Sequence, residues 1–211
     1  MKVQFLASGG FSMFSRLKKL TAKLCGIFSL LLFTISAAWH LLSYQPRLCV
    51  SMDHAERLFL PMLIPFIFLI ISLSSRQKLL QPVFPMRSWK DFWATPWKNG
   101  KFFSKLSSLA PRPVRIIGYL LLYYCFINFF YLGLSGKVEG EPTVKNGGYF
   151  LKEKDKILHE LNKAEYLQAN AYLVRLITGH FMMFCWLPAV YFLLVYPQLD
   201  KLKAPEMKEP T

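Results

Sequence analysis

The chain is poor in charge, and the little it carries is unevenly placed. Only 18% of its 211 residues are Asp, Glu, Lys or Arg while 54% are hydrophobic, which excludes an ordinary water-soluble globular domain. Acids are the scarcer sign, 12 against 26 lysines and arginines, and residues 1–23 contain none. From Leu176 to Leu199 there is no charge of either sign. The four cysteines, Cys25, Cys49, Cys125 and Cys185, form no CxxC pair, and three lie inside apolar runs, so neither a zinc site nor a disulfide framework is indicated. No HExxH, GxSxG, Walker loop or GxGxxG occurs, so no familiar catalytic or nucleotide-binding signature is present. An Asn-x-Ser/Thr acceptor is also missing, as a bacterial inner-membrane protein permits.

What fills the chain is apolar sequence in long runs. A bilayer core takes about 20 apolar residues in helical form, and four runs meet or approach that length. These are residues 24–44, 58–74, 116–134 and 172–196. The predicted fold is an all-α integral membrane protein of four transmembrane helices, with a small extracytoplasmic β-hairpin subdomain before the last helix. The first run has a rival reading as a cleaved signal peptide, because Ser36, Ala37 and Ala38 follow an apolar core; cleavage leaves the orientation downstream unchanged. Pro61 and Pro65 predict a local kink at the outer end of the second run.

The segments between the runs differ in charge. Residues 1–23 form a basic amphipathic N-terminus, with Phe11, Phe14, Leu17, Leu20 and Leu24 at helical spacing and the signature of a helix lying at a membrane surface. Residues 75–115 carry nine Lys or Arg against the single Asp91. Within them Trp89, Phe92, Trp93 and Trp97 sit among lysines, the composition of a loop lying on an anionic leaflet. Nucleic acid is not expected as a partner, since the bilayer competes for the same rings. The loops at 45–57 and 135–171 are balanced, and the positive-inside rule places them outside and both termini in the cytoplasm. Asn146-Gly147 is a hairpin signal, and Asn162 with Glu165 three residues on is a capping box that starts the last helix. Residues 197–211, a cytoplasmic tail with two prolines beyond Pro197 and balanced charge, are expected to be disordered.

Two constellations carry the functional expectations. On the last helix Glu165, Gln168, Tyr172 and Arg175 fall within about 80° of one another, with His180 some 60° further round, so a polar stripe descends into the membrane. Arg175 either snorkels to the headgroups or lines a cavity, contacting Glu165 or a ligand. His40 and His180, on two spans, are the candidate ligands of a haem or metal ion, although no cofactor is the primary expectation. Asn128 in the third run has the role of interhelical glue. The leading functional reading is non-catalytic: an accessory, assembly or immunity-type subunit meeting another membrane or extracytoplasmic protein through its outer domain and the stripe, with anionic lipid at the cytoplasmic face. The rivals are a small electron-transfer protein using His40 and His180, and a transporter or channel subunit, against which the lack of an internal repeat argues.

Overall fold

The computed structural model describes residues 4–75, 107–134, 140–154 and 156–202. Helix α1 (Gln4–Leu42) runs 39 residues without a break. No proline occurs before Pro46, so nothing interrupts the hydrogen-bond ladder between the basic leader and the apolar run. The expected surface helix of residues 1–23 is therefore not a separate element, and its C-terminal part forms one rod with the first apolar run. α1 ends as Tyr44 and Gln45 close tight turns onto the Leu41 and Leu42 carbonyls, just before Pro46.

The second apolar run is split into α2 (Met52–Arg57) and α3 (Phe59–Ser75). Pro61 has no N–H for the Arg57 carbonyl and its ring crowds that oxygen, which accounts for the break at Leu58. Helix α4 (Arg112–Leu134) follows Pro111 and buries Cys125, Asn128 and Leu132 on one face. The last helical stretch is α5 (Lys163–Val190), a π turn at Tyr191–Val195, and α6 (Tyr196–Leu202). Pro197 lies in α6 directly after the π turn, where the hydrogen-bond ladder is already shifted by one residue. The expectation of disorder from residue 197 is thus corrected as far as Leu202. Among the described residues four stretches are long and apolar enough to cross a membrane: Arg16–Leu42, Met52–Ser75, Arg112–Leu134 and Lys163–Lys201.

Between α4 and α5 stands a sheet of three antiparallel strands in the order β1 (Glu141–Lys145), β2 (Gly148–Glu153), β3 (Lys156–Leu161). The expected hairpin is its first half, with Lys145 opposite Gly148 across Asn146-Gly147. Both turn residues have positive φ, 51° and 80°, as a type I′ turn requires. The third strand corrects the two-stranded expectation: Lys154, at φ 54°, helps turn the chain back so that Tyr149 pairs with Leu161. A bulge at Leu151/Lys152 offsets this pairing. The inward face, with Pro142, Leu151 and Leu161 buried, meets α5 through Tyr149 against Tyr166, ring centroids 4.8 Å apart.

The chain divides into two compact units. In the unit drawn from Met1–Leu30, Pro65–Arg115 and Leu187–Thr211, the core consists of Ala22, Leu69, Ala110, Tyr191, Phe192, Val195 and Leu199. Ser72 there hydrogen-bonds the Tyr191 hydroxyl at 2.9 Å, and Lys19 pairs with Asp200 at 3.5 Å. In the unit drawn from Leu31–Ile64 and Ile116–Trp186, Leu32, Met62, Phe181 and Cys185 form the apolar core.

Replacing Gly147 with valine puts a β-branched side chain at φ 80° and should cost about 1–2 kcal/mol locally. Amide exchange in detergent should then speed up across Glu141–Glu153 while α5 stays protected. Unchanged protection of both strands would show that the turn does not set the register.

Candidate functional site

Each of three helices presents polar side chains at helical spacing. His40 comes from the last turn of α1 and Ser43 and Tyr44 from the turn that follows it, Tyr124 and Asn128 from α4, and Arg175 and Thr178 from α5. His40 is 4% exposed, and a buried imidazole must find partners for both nitrogens. It does. Nδ1 lies 3.1 Å from Thr178 Oγ1, and Nε2 contacts the Tyr124 hydroxyl.

The direction of these bonds follows from the proton inventory. Thr178 spends its hydroxyl hydrogen on the Val174 carbonyl at 2.6 Å, so it accepts from His40, whose Nδ1 therefore carries the proton. Nε2 is then the lone-pair nitrogen and accepts from Tyr124, while Tyr124 oxygen accepts from the Tyr44 hydroxyl 3.1 Å away. One directed chain runs from half-exposed Tyr44 to the main chain of α5, with the Tyr44 and Tyr124 rings edge-on to the imidazole.

Among the described residues Arg175 meets main-chain and hydroxyl oxygens rather than an acid. Its Nη2 donates to the Ser43 carbonyl at 2.7 Å and its Nε to Ser43 Oγ at 3.3 Å. The guanidinium lies 3.9 Å above the Tyr44 ring centroid, with Tyr172 on its other flank at 5.6 Å. It therefore places a cation on the carbonyl end of α1, where the helix dipole is negative. Asn128 reaches across from α4 to donate to the Arg175 carbonyl at 3.1 Å, and Gly179 makes this approach possible: a Cβ there would sit 2.7 Å from Asn128 Nδ2.

About one and a half turns earlier on α5, Asn170 pins the connection that leaves α1. It donates to the Val50 carbonyl at 2.9 Å and accepts from the Met52 amide at 3.0 Å. Cys49 is enclosed beside it, and burial pushes its thiol up to about 11, with the Arg175 charge acting in the opposite direction.

The expected stripe is connected only in its middle. Gln168 Nε2 donates to the Tyr172 hydroxyl at 2.8 Å, and Tyr172 flanks Arg175. Glu165 is engaged at the helix start, accepting from the Asn162 amide at 2.8 Å while Asn162 Oδ1 accepts from Ala164 and Glu165. Gln168 also borders an open groove of about 390 Å³ with Gln45, Pro46, Arg47, Ala164 and Leu167. His180 stands apart: its Nδ1 donates to the Leu176 carbonyl at 2.8 Å and its ring meets Phe129 edge-on. It lines an apolar cavity of about 240 Å³ with Cys125, Phe126, Phe129, Met183 and Phe184.

The haem or metal pair is not brought together. Thr178, which His40 contacts, and His180 are two residues apart and so about 200° apart around α5. Among the described residues no three His, Cys, Asp or Glu side chains converge on one point. Trp89, Phe92, Trp93 and Trp97 lie outside the described residues. Tyr44, Tyr124, Thr178 and Asn170 were not singled out in the sequence; the signal for the first was its position four residues after His40, just past the end of α1.

Two outcomes follow. Arg175→Gln should lower stability in detergent by about 2 kcal/mol, the scale of a charge-assisted hydrogen bond, and Arg175→Lys by about half of that, since lysine keeps the charge but not the fork or the stacking. Equal midpoints for both variants and the wild type in denaturant titration would remove Arg175 as the clamp on α1. Cys49, protonated at neutral pH, should alkylate slowly with iodoacetamide, its rate rising about tenfold per pH unit between about pH 8 and 10. Peptide mapping that finds a rate flat over that range would contradict the raised value.

Compared with known protein families, curated proteins and solved structures, the chain matches none of them.

Proposed function

We propose that this chain is a four-span membrane protein of non-catalytic type: an accessory, assembly or immunity-type subunit that engages a membrane or extracytoplasmic partner through its sheet and the polar face of α5. The carrying observation is an inverted pattern of burial. On α1 the buried positions Ala22, Ser29, Leu32, Ser36, His40 and Ser43 are mostly small or polar, while Leu24, Leu31, Ile35 and Leu41 face outward. On the other helices Asn128 and Thr178 are buried alongside apolar residues such as Met62, Leu132 and Val174, while Ile67, Ile71, Leu120 and Ile127 are exposed. In water that arrangement is unfavourable; in lipid, where tails are as apolar as leucine, small and polar residues make the helix contacts.

In this reading the membrane is a bacterial inner membrane, and the positive-inside rule argues for both termini in the cytoplasm with anionic lipid at the basic face. The polar groups of His40, Thr178, Asn128 and Arg175 are bonded to one another and to the main chain, which suits a scaffold better than a reaction centre. The sheet is the docking element in this reading. β1 and β3 are both edges, and Val144, Ile157 and Leu158 are exposed on them, so an extended segment of a partner could add to either.

Reporter fusions after residue 50 and after residue 150 should both read as exported; a cytoplasmic signal from the second would sink the topology. Ile157→Asp with Leu158→Asp should leave membrane abundance intact and shrink the detergent-extracted assembly on a native gel. An assembly of unchanged size would remove β3 as the docking edge.

A further inference from the structure

His180 has a nitrogen that no contact in the fold uses. Its Nδ1 meets the Leu176 carbonyl at 2.8 Å, and a carbonyl only accepts, so Nδ1 carries the proton and Nε2 of the neutral ring is left with a lone pair. No described residue donates to that lone pair. His180 lies eight positions inside the apolar run that begins at Tyr172, about 12 Å along the axis. An imidazole reaches less than half of that distance, so Nε2 does not snorkel to the headgroups. Hydrocarbon supplies no donor, and an acceptor left unpaired there costs free energy.

The same ring lines the cavity of about 240 Å³ with Cys125, Met183 and three phenylalanines, all of them in the second unit. Phe126 and Phe129 among these are 56% and 48% exposed, so the cavity opens on the lipid side of α4 and is entered from the bilayer. Its size suits one substituted ring, since an apolar cavity of about 150 Å³ holds benzene. We infer that it binds a lipid-soluble ligand with a phenolic ring, seated among Phe126, Phe129 and Phe184 and donating its hydroxyl to His180 Nε2. The inference rests on the membrane reading above. An acyl chain would fill the space but leave the lone pair unmatched. A ligand that only accepts, such as a ketone or an ether, would face lone pair with lone pair. The phenylalanine walls favour a ring over a linear alcohol, because ring pairs gain from offset or edge-on geometry beyond the area they bury.

The test uses the full chain in lipid nanodiscs. After correction for partition into empty discs, para-hexylphenol should bind about two- to thirteen-fold more tightly than its methyl ether, which keeps the ring and tail but has no donor. With isotope-labelled histidine, the phenol and not the ether should move the Nε2 resonance that His180→Leu removes. His180→Leu should bind the two compounds alike, and Met183→Trp, which fills the cavity, should bind neither. Equal binding by the wild type, or a preference that survives His180→Leu, overturns the hydrogen bond and the proposal with it. The resonance is read on the unaltered chain, so an unmoved signal at saturating phenol overturns the proposal even where a variant fails to insert. Binding of neither compound, by chain that carbonate fails to extract from native membranes, overturns the site and leaves the membrane reading intact. Extraction by carbonate overturns both.

Discussion

The carbonyl oxygen of Ser43 is where the second unit is held together. A helix leaves its last carbonyls without partners, and an unpaired one enclosed by protein costs as much as a lost hydrogen bond. α1 ends against α5, and Arg175 supplies the donor at 2.7 Å. With that contact made, His40 lies one turn back along α1 and meets Thr178 one turn further along α5. Tyr124 and Asn128 then complete the third side from α4, bonding His40 and the Arg175 carbonyl respectively. Each polar group is satisfied by one on another helix, so the helices cannot slide past one another without breaking several bonds together.

Ser36 is the exception in this unit. Its hydroxyl is buried and has no partner among the described residues, although a helical serine can bond the carbonyl four residues back. An unpaired hydroxyl costs free energy that alanine would not. Its tolerance agrees with the small size of α1's inward positions, where serine fills the space of a close helix contact and its polarity is incidental.

What could be read in the sequence was what short-range chemistry decides. Apolar runs marked the helices, Asn146-Gly147 set a type I′ turn, and Asn162 with Glu165 capped α5 as their spacing required. The third strand was not legible because KILHEL is exposed along almost its whole length and lacks the alternation of a half-buried strand. The site was legible only in part. His40 and Arg175 stood out as ionisable groups in apolar sequence, but the partners of His40 lie 84 and 138 residues away and are ordinary residues, a tyrosine among many aromatics and a threonine. The rotation of the two histidines to different sides of α5 depends on how helices pack, which periodicity along one helix does not carry. The helical run past Pro197 was not legible because it continues through the π turn just before that proline, which residue types alone do not announce.

The π turn at Tyr191–Val195 bears on how this helix is indexed. A turn closed from the Tyr196 amide to the Tyr191 carbonyl holds one residue more than an α turn, so the count of residues runs ahead of the rotation of the helix. Angular positions computed at a uniform 100° per residue are therefore valid up to Val190 and out of phase beyond it. The segment behaves as a one-residue insertion absorbed locally: Leu199 still reaches the core beside Ala22, and Asp200 still reaches Lys19. Loss of a single residue between 191 and 195 would return the turn to α geometry and leave α6 in register, whereas the same loss elsewhere in the helix would rotate everything after it.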